Sequence, residues 1–237
     1  MNKITLVSPY YNSPELIKEQ IIIWESYSDI VKQNLTIILV DDGSEKEAKN
    51  YINIDLIRDN NVDFRLYRIL ENKGWNSYGA NNLGICMADT KWILRVDLDW
   101  IIPNNVMESI INNQTLSYND KKMYKFNAVY HNTDEKVECG PNIFLIPKWL
   151  FWVVGGYDED FSGNYGWADI LFLYLLEVKH KVLPEFLDNL CIEAVLGGST
   201  HELSRDNKFN KEIYTEKRAG ERSLSKDCLR FNWEQIT

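Results

Sequence analysis

The sequence predicts an α/β fold: a mixed, mostly parallel central sheet with helices on both faces. Three observations carry that reading. Ile4–Val7 and Leu35–Val40 are apolar almost without interruption, as strands covered on both faces are. Strand-like and helix-like segments then alternate through the first half of the chain, the pattern of right-handed crossovers onto one sheet. Three strands end in polar clusters, Pro9-Tyr10-Tyr11-Asn12, Asp41-Asp42-Gly43-Ser44 and Asp97-Leu98-Asp99, at the edge where open α/β sheets bind ligands.

The elements follow in order. Ile4–Val7 has a β-branched bias and stops at Ser8-Pro9, so it reads as a buried strand. Ser13 caps a helix with Pro14 at its first position. Leu16, Ile17, Ile21, Trp24, Tyr27 and Val31 keep helical spacing to about Gln33. Leu35–Val40 and Phe64–Ile69 are strands, Ser77–Ala88 a helix, Trp92–Val96 a strand ending at Asp97, and Pro103–Asn112 a short helix. In the second half, Met123–Tyr130 and Asn142–Ile146 read as strands. Lys148–Val154 is a short buried helix ended by Gly155-Gly156. Trp167–Lys179 is an amphipathic helix, and Leu190–Leu196 a strand stopped by Gly197-Gly198. From Ser204 the two charge signs mix closely, which predicts partial order with a helix near Lys211–Arg218. No repeat or linker divides the chain, so it reads as one domain over 1–237. Residues 1–100 form a first half, 101–210 a second half and 211–237 a C-terminal tail.

Composition narrows the function. With 35 acidic against 26 basic residues the net charge is −9, which does not favour a nucleic-acid partner. Cys86, Cys139, Cys191 and Cys228 are widely spaced with no CxxC pair, which suits reduced thiols in the cytoplasm. The first apolar run is too short for a signal peptide, and no stretch reaches the length of a membrane span.

The strand-end carboxylates are the candidate chemistry. Carboxylates are costly at buried strand ends unless they accept hydrogen bonds or meet a cation. Asp97 and Asp99 alternate along an extended chain and so share one face. Oxygen donors of this kind suit magnesium or manganese. Plainer readings stand beside these: Asp42-Gly43-Ser44 is also a good turn, and Asp97-Leu98-Asp99 also suits a strand end before a helix cap.

The longer motifs point to a family. Glu71-Asn72-Lys73-Gly74-Trp75-Asn76-Ser77-Tyr78-Gly79-Ala80-Asn81-Asn82-Leu83-Gly84-Ile85, followed by Asp97-Leu98-Asp99 and preceded by the Pro9–Asn12 and Val40–Ser44 clusters, resembles the inverting glycosyltransferases of family two, which have the GT-A fold. Gly155-Gly156-Tyr157-Asp158-Glu159-Asp160-Phe161 with Gly166-Trp167-Ala168-Asp169 resembles a segment shared with the β-1,4-galactosyltransferases. His201-Glu202-Leu203-Ser204-Arg205-Asp206 resembles their late metal-binding histidine segment. The resemblance covers residues 4–210.

What the resemblance implies is a metal-dependent transfer of a sugar, from a nucleotide sugar such as a UDP-hexose to an acceptor hydroxyl, with inversion. Tyr11 would stack on the base, Asp42 would hydrogen-bond it, and Pro9, Asn72, Gly74, Asn81 and Trp167 would complete the donor site. Asp97 would meet the ribose or the metal. Asp99 and His201 would ligate Mn²⁺ or Mg²⁺, and Asp169 would be the general base. Plainer roles are a surface residue for His201, a helix cap or first-turn acid for Asp169, and core packing for Trp167.

The chain departs from the family in three places. Asn81 stands where an arginine is common, Ala168 replaces the usual glutamate before the catalytic aspartate, and the spacing around Asp169 is tighter. Two other readings accompany the first: a retaining glycosyltransferase on the same fold, and a non-catalytic nucleotide-sugar-binding protein. The acceptor is open: a glycan, a protein, a small molecule or a modified base.

Overall fold

The computed structural model describes residues 1–113, 120–195 and 203–237. Its first half is a parallel sheet. Strands β1 (Ile4–Tyr10), β2 (Leu35–Asp42), β3 (Asp63–Ile69) and β4 (Trp92–Arg95) lie in the order β4-β1-β2-β3. Tyr10 pairs with Asp41 and Asp42 with Ile69, so the polar ends of β1 and β2 lie together at one edge. The continuous apolar runs are explained by burial from both sides: Leu39 packs in one core and Ile38 and Val40 in the other.

The second half extends the sheet from β4. Strands β5 (Trp100–Ile101), β6 (Met123–Tyr130), β7 (Phe144–Pro147) and β8 (Pro184–Ala194) continue it in the order β5-β8-β6-β7-β4. Here β7 is antiparallel to both β4 and β6, β6 runs parallel to β8, and β5 is antiparallel to β8. The mixed sheet expected from the sequence is thus parallel over β4-β1-β2-β3 and mixed beyond β4. A register shift after Phe126, with Leu187 opposite Phe126 but Cys191 opposite Asn127, makes Asp188, Asn189 and Leu190 bulge from β8.

Helices cover both faces. On one lie α1 (Pro14–Ser26), α2 (Asp29–Lys32), α3 (Ile54–Asp59) and α5 (Asn104–Asn112). On the other lie α4 (Ser77–Met87), α6 (Lys148–Trp152), α7 (Ala168–His180) and α8 (Lys208–Ala219). Helix α4 sits close on β1 because residue 84 is glycine: a Cβ there would come within 2.5 Å of Val7 Cγ1.

Several boundaries differ from the sequence expectation. The first helix breaks at Tyr27, whose hydroxyl donates to the Ile102 carbonyl at 2.8 Å while the Ser28 amide donates to Asn104. These tertiary bonds outweigh the helical periodicity of the stretch. Ser13 stands at the N-cap of α1, but its hydroxyl bonds the Tyr11 carbonyl instead of the helix. Strand β8 starts at Pro184, earlier than expected, because 184–187 pair along β6. The expected strand end, Leu196 with Gly197-Gly198, falls outside the described residues. The C-terminal stretch folds back to place strand β9 (Trp233–Gln235) antiparallel on β3. No helix among the described residues is long and apolar enough to cross a membrane.

Candidate active site

A cleft of about 260 Å³ opens at the carboxyl edge of β1, β2 and β4. Of the residues singled out in the sequence, Pro9, Tyr11, Asp42, Gly74, Asp97 and Asp99 line it. The start of α4 reaches it through Asn76, Ser77 and Tyr78. That first turn carries no acidic side chain, so the positive end of the helix is not offset locally. From the second half come Asn142, Tyr165, Gly166 and Arg205.

The two aspartates after β2 do different work. Asp41 is structural: it accepts from the Ser44 amide at 2.9 Å and the Ala48 amide at 2.8 Å, and pairs with Arg68 at 3.1 Å. Asp42 faces the cleft and accepts from the Asn76 amide nitrogen at 2.9 Å. Burial pushes its carboxyl up to about 7, against the pull of the Asn76 bonds. Gly43 makes the turn possible: its φ is +66°, and a Cβ would lie 2.6 Å from the Glu71 carbonyl oxygen.

Asp97 and Asp99 both line the cleft, but from a turn that follows β4 and not from an extended strand: the Trp100 amide donates to the Asp97 carbonyl at 3.1 Å. Burial, with the Asp97 charge next, raises Asp99 to about 6, while Arg95 and Arg205 oppose the rise. A pair of neighbouring carboxylates in a partly desolvated pocket favours a cation. Asp97 is already paired: Arg95, 1 % exposed, donates to it at 2.7 Å. Arg95 also donates to Asn81 Oδ1 at 3.0 Å and to the Asn142 carbonyl at 2.7 Å. Asn81 is therefore buried with its amide engaged inside the fold, its nitrogen on the Ser77 carbonyl, and it does not line the cleft. Asn72 stands exposed beside it, accepting from the Tyr11 hydroxyl at 3.2 Å and the Gly74 amide at 2.9 Å, so it orients Tyr11.

Asp169 lies in the first turn of α7 and is buried; it does not appear in the lining of the cleft. Burial raises its carboxyl, opposed by the Ile170 amide and the Arg95 charge, with Asp97 adding to the rise. Trp167 precedes it at the N-cap with φ +76°, a conformation rarely held by a bulky side chain. Its ring packs on Tyr214, with centroids 4.9 Å apart, and outside the cleft lining. Asn210 fixes this turn by donating to the carbonyls of Phe161, Asn164 and Gly166.

The acids of the Asp158-Glu159-Asp160 motif face inward. Lys217, on α8, donates to Asp158 and Asp160 at 2.7 Å each. Glu159 accepts from Asn82 and from the Leu229 and Arg230 amides. These carboxylates hold the C-terminal stretch onto α4 and leave the cleft to other residues.

Sequence reading missed Arg95, Trp75, Tyr165 and Arg205. The Trp75 and Tyr165 rings, 4.8 Å apart, join the two halves across the cleft, and Arg205 lies 5.5 Å over Tyr165. Trp75 stood inside the motif run, whereas Arg95 was a charge inside a buried strand, a pattern that itself points to a partner. His201, expected as a metal ligand, lies outside the described residues, and among the described residues no three potential metal-ligating side chains cluster.

Residues 5–144 match the family described as glycosyl transferase family 2. Among curated proteins, glycosyltransferase GlyG of Streptococcus pneumoniae serotype 4 is 34% identical over 136 residues, covering 56% of this chain and 40% of that protein. The chain thus spans less than half the length of this relative. Among solved structures, S. aureus TarS 1–349 in complex with UDP superposes with a TM-score of 0.63 and 14% identity, over 93% of this chain and 72% of that one. The same protein in complex with UDP-GlcNAc gives a TM-score of 0.65 at 14% identity, over 89% of this chain and 64% of that one. At such identities the likeness establishes the shared fold.

Proposed function

The chain belongs to glycosyl transferase family 2 and is a glycosyltransferase, and from that premise we propose that it moves a sugar from a UDP-sugar to an acceptor hydroxyl with inversion. One observation carries the reading: Tyr11, Asp42, Asp97 and Asp99 converge on a single cleft at the carboxyl edge of the sheet. The complexes of TarS with UDP and UDP-GlcNAc support the choice of donor.

Each group has a chemical part. Tyr11 stacks on the base, and Asp42 accepts a hydrogen bond from it. Asp97, held by Arg95, accepts from the ribose. The positive end of α4 and the guanidinium of Arg205 meet the diphosphate; Arg205 makes up for the arginine that Asn81 replaces. Asp99 would hold a divalent cation, Mn²⁺ or Mg²⁺, for which the sequence resemblance implies His201 as the further protein ligand. Its raised carboxyl fits that role, since a cation relieves the repulsion from Asp97. Such a cation supplies charge stabilisation to the departing diphosphate.

Asp169 is the general base. It takes the proton of the acceptor hydroxyl as that oxygen bonds the anomeric carbon. The bond from that carbon to the diphosphate oxygen breaks, and its electron pair leaves with UDP. A carboxyl raised by burial is a stronger base than an ordinary exposed aspartate, which suits it to accept the proton. The segment Gly155–Asp169 then serves the acceptor side, as its resemblance to the β-1,4-galactosyltransferases implies. Four free cysteines agree with a cytoplasmic setting.

The test is a thermal-shift panel of nucleotide sugars with and without Mn²⁺. UDP-sugars should stabilise the protein in a metal-dependent way, and Asp99→Ala should abolish the metal dependence. Silence towards every nucleotide refutes the donor site. Retention in the product anomer refutes inversion, and transfer surviving in Asp169→Asn refutes the base.

A further inference from the structure

A second cavity, of about 640 Å³, lies between α7 and the outer strands β6 and β8. Its walls are largely apolar. Ile170 and Leu173, one turn apart on α7, face it together with Phe186 and Cys191 of β8. Ile170 and Phe186 are exposed large apolar side chains, unusual for residues flanking a candidate catalytic helix.

Among the described residues three charged side chains line the cavity: Lys136 and Glu138, which are exposed, and Lys125, which is buried. Lys125 pairs with Phe186 across β6 and β8 and falls on the α7 side of the sheet, the side that carries Met123. The side chain is buried at 6 % exposure, yet it lines the cavity. Its ammonium donates to the Gly140 carbonyl at 2.5 Å and makes no other hydrogen bond among the described residues. An ammonium has three donors, and leaving two unmet in a desolvated site is unfavourable. Burial lowers this lysine, and Glu138, Cys139, Asp169 and Arg95 are the charged or titratable groups that act on it.

The cavity adjoins the donor cleft. Pro141 lines the cavity and its neighbour Asn142 lines the cleft. Ile170 follows Asp169 directly, and Asp169 is within electrostatic reach of Lys125. Residues 141 and 142 thus stand between the two spaces, and Asp169, which lines neither, lies one residue before Ile170 of the cavity wall.

We propose that this cavity is the acceptor subsite and takes an acceptor with an apolar body and one anionic group, phosphate or carboxylate, paired with Lys125. The apolar body lies against Ile170, Leu173 and Phe186, and the attacking hydroxyl reaches Asp169 beside Ile170. The proposal rests on the donor-site reading above, and the two fail separately.

The experiment measures binding of n-octyl phosphate by calorimetry below its micellar concentration, with octanoate, n-octanol and inorganic phosphate alongside. n-Octyl phosphate or octanoate should bind at least about tenfold more tightly than n-octanol or inorganic phosphate; the stronger of the two identifies the anion. In Lys125→Met the anionic probes should fall to the level of n-octanol. Replacing a buried charge by an apolar side chain of similar length is well tolerated, so the fold should persist, as circular dichroism would check. Phe186→Ala, at an exposed position, should weaken anionic probes and n-octanol alike. Undiminished binding of the anionic probes in Lys125→Met, or no binding of any octyl probe, overturns the acceptor proposal. UDP binding is read in parallel on the unaltered protein, and its absence overturns the donor reading whatever the octyl probes do.

Discussion

Protonation of Asp42 should set the pH dependence of base recognition. Its carboxyl lies at about 7 because the side chain is buried, and the Asn76 hydrogen bond only partly offsets that burial. If it accepts an N–H from the base, only the ionised form is competent. With a carboxyl at about 7, roughly a tenth is ionised at pH 6 and roughly nine-tenths at pH 8, from one decade in ionisation ratio per pH unit. Affinity should therefore rise about tenfold over that interval and then level off. Uridine is the suitable probe, because it lacks the diphosphate, whose own titration and metal binding would add to the slope. Titration calorimetry in two buffers of different ionisation heat should also show proton release on binding at pH 6. Asp42→Asn should bind weakly with no slope. The linked effect on folding has the opposite sign. A carboxyl whose folded value exceeds its unfolded value takes up a proton on folding, so its contribution to stability declines as pH climbs from the ordinary carboxylate range to about 7. Equal uridine affinity at pH 6 and pH 8, or the same slope in Asp42→Asn, refutes the reasoning.

Other consequences concern the supports of the site. Arg95→Met leaves the buried Asn81 oxygen and the Asn142 carbonyl without their donor, while Asp97 can turn to solvent, so it should destabilise the protein by about 1–3 kcal/mol in urea unfolding. Gly84→Ala places a Cβ 2.5 Å from Val7 Cγ1 and should cost about 1–3 kcal/mol. Adding Val7→Ala should recover part of that loss, and strict additivity of the two changes would contradict a direct clash. Lys217→Met leaves Asp158 without its cation, while Asp160 keeps Arg230 at 2.9 Å. Limited proteolysis should then cut the stretch after Gly220 faster than in the parent protein, while the sheet core stays protected.

The legible parts of this chain are those whose signal is local. Leu35–Val40 could be read as a doubly covered strand because burial on both faces leaves Thr36 as its one polar position, and that is how β2 sits. The placement of Asp42, Asp97 and Asp99 followed from strand ends meeting at one sheet edge, since parallel pairing aligns those ends without any side-chain detail. What escaped depends on contacts distant in sequence. Strand β9 is exposed along its whole length and carries no alternating pattern; it exists because 233–235 find the free edge of β3. Asn81 was read from its neighbours in sequence as a donor contact, yet its amide answers to Arg95, a residue on another element.

The acids of the Asp158–Asp160 motif show why a motif can resemble a site and still act at one remove. Each carboxylate is occupied within the fold, and the groups it holds belong to α8 and to residues 225–230. Those same elements hold the turn before Asp169: Asn210 of α8 ties down three carbonyls of residues 161–166. The strained Trp167 backbone, φ +76°, is tolerable only because that turn is overdetermined in this way. The direction of Asp169 therefore depends on a chain of buried polar bonds running from the C-terminal stretch through α8 to the start of α7. A residue such as Lys217, which never touches the cleft, is expected to change how the proposed base is presented before it changes how UDP binds.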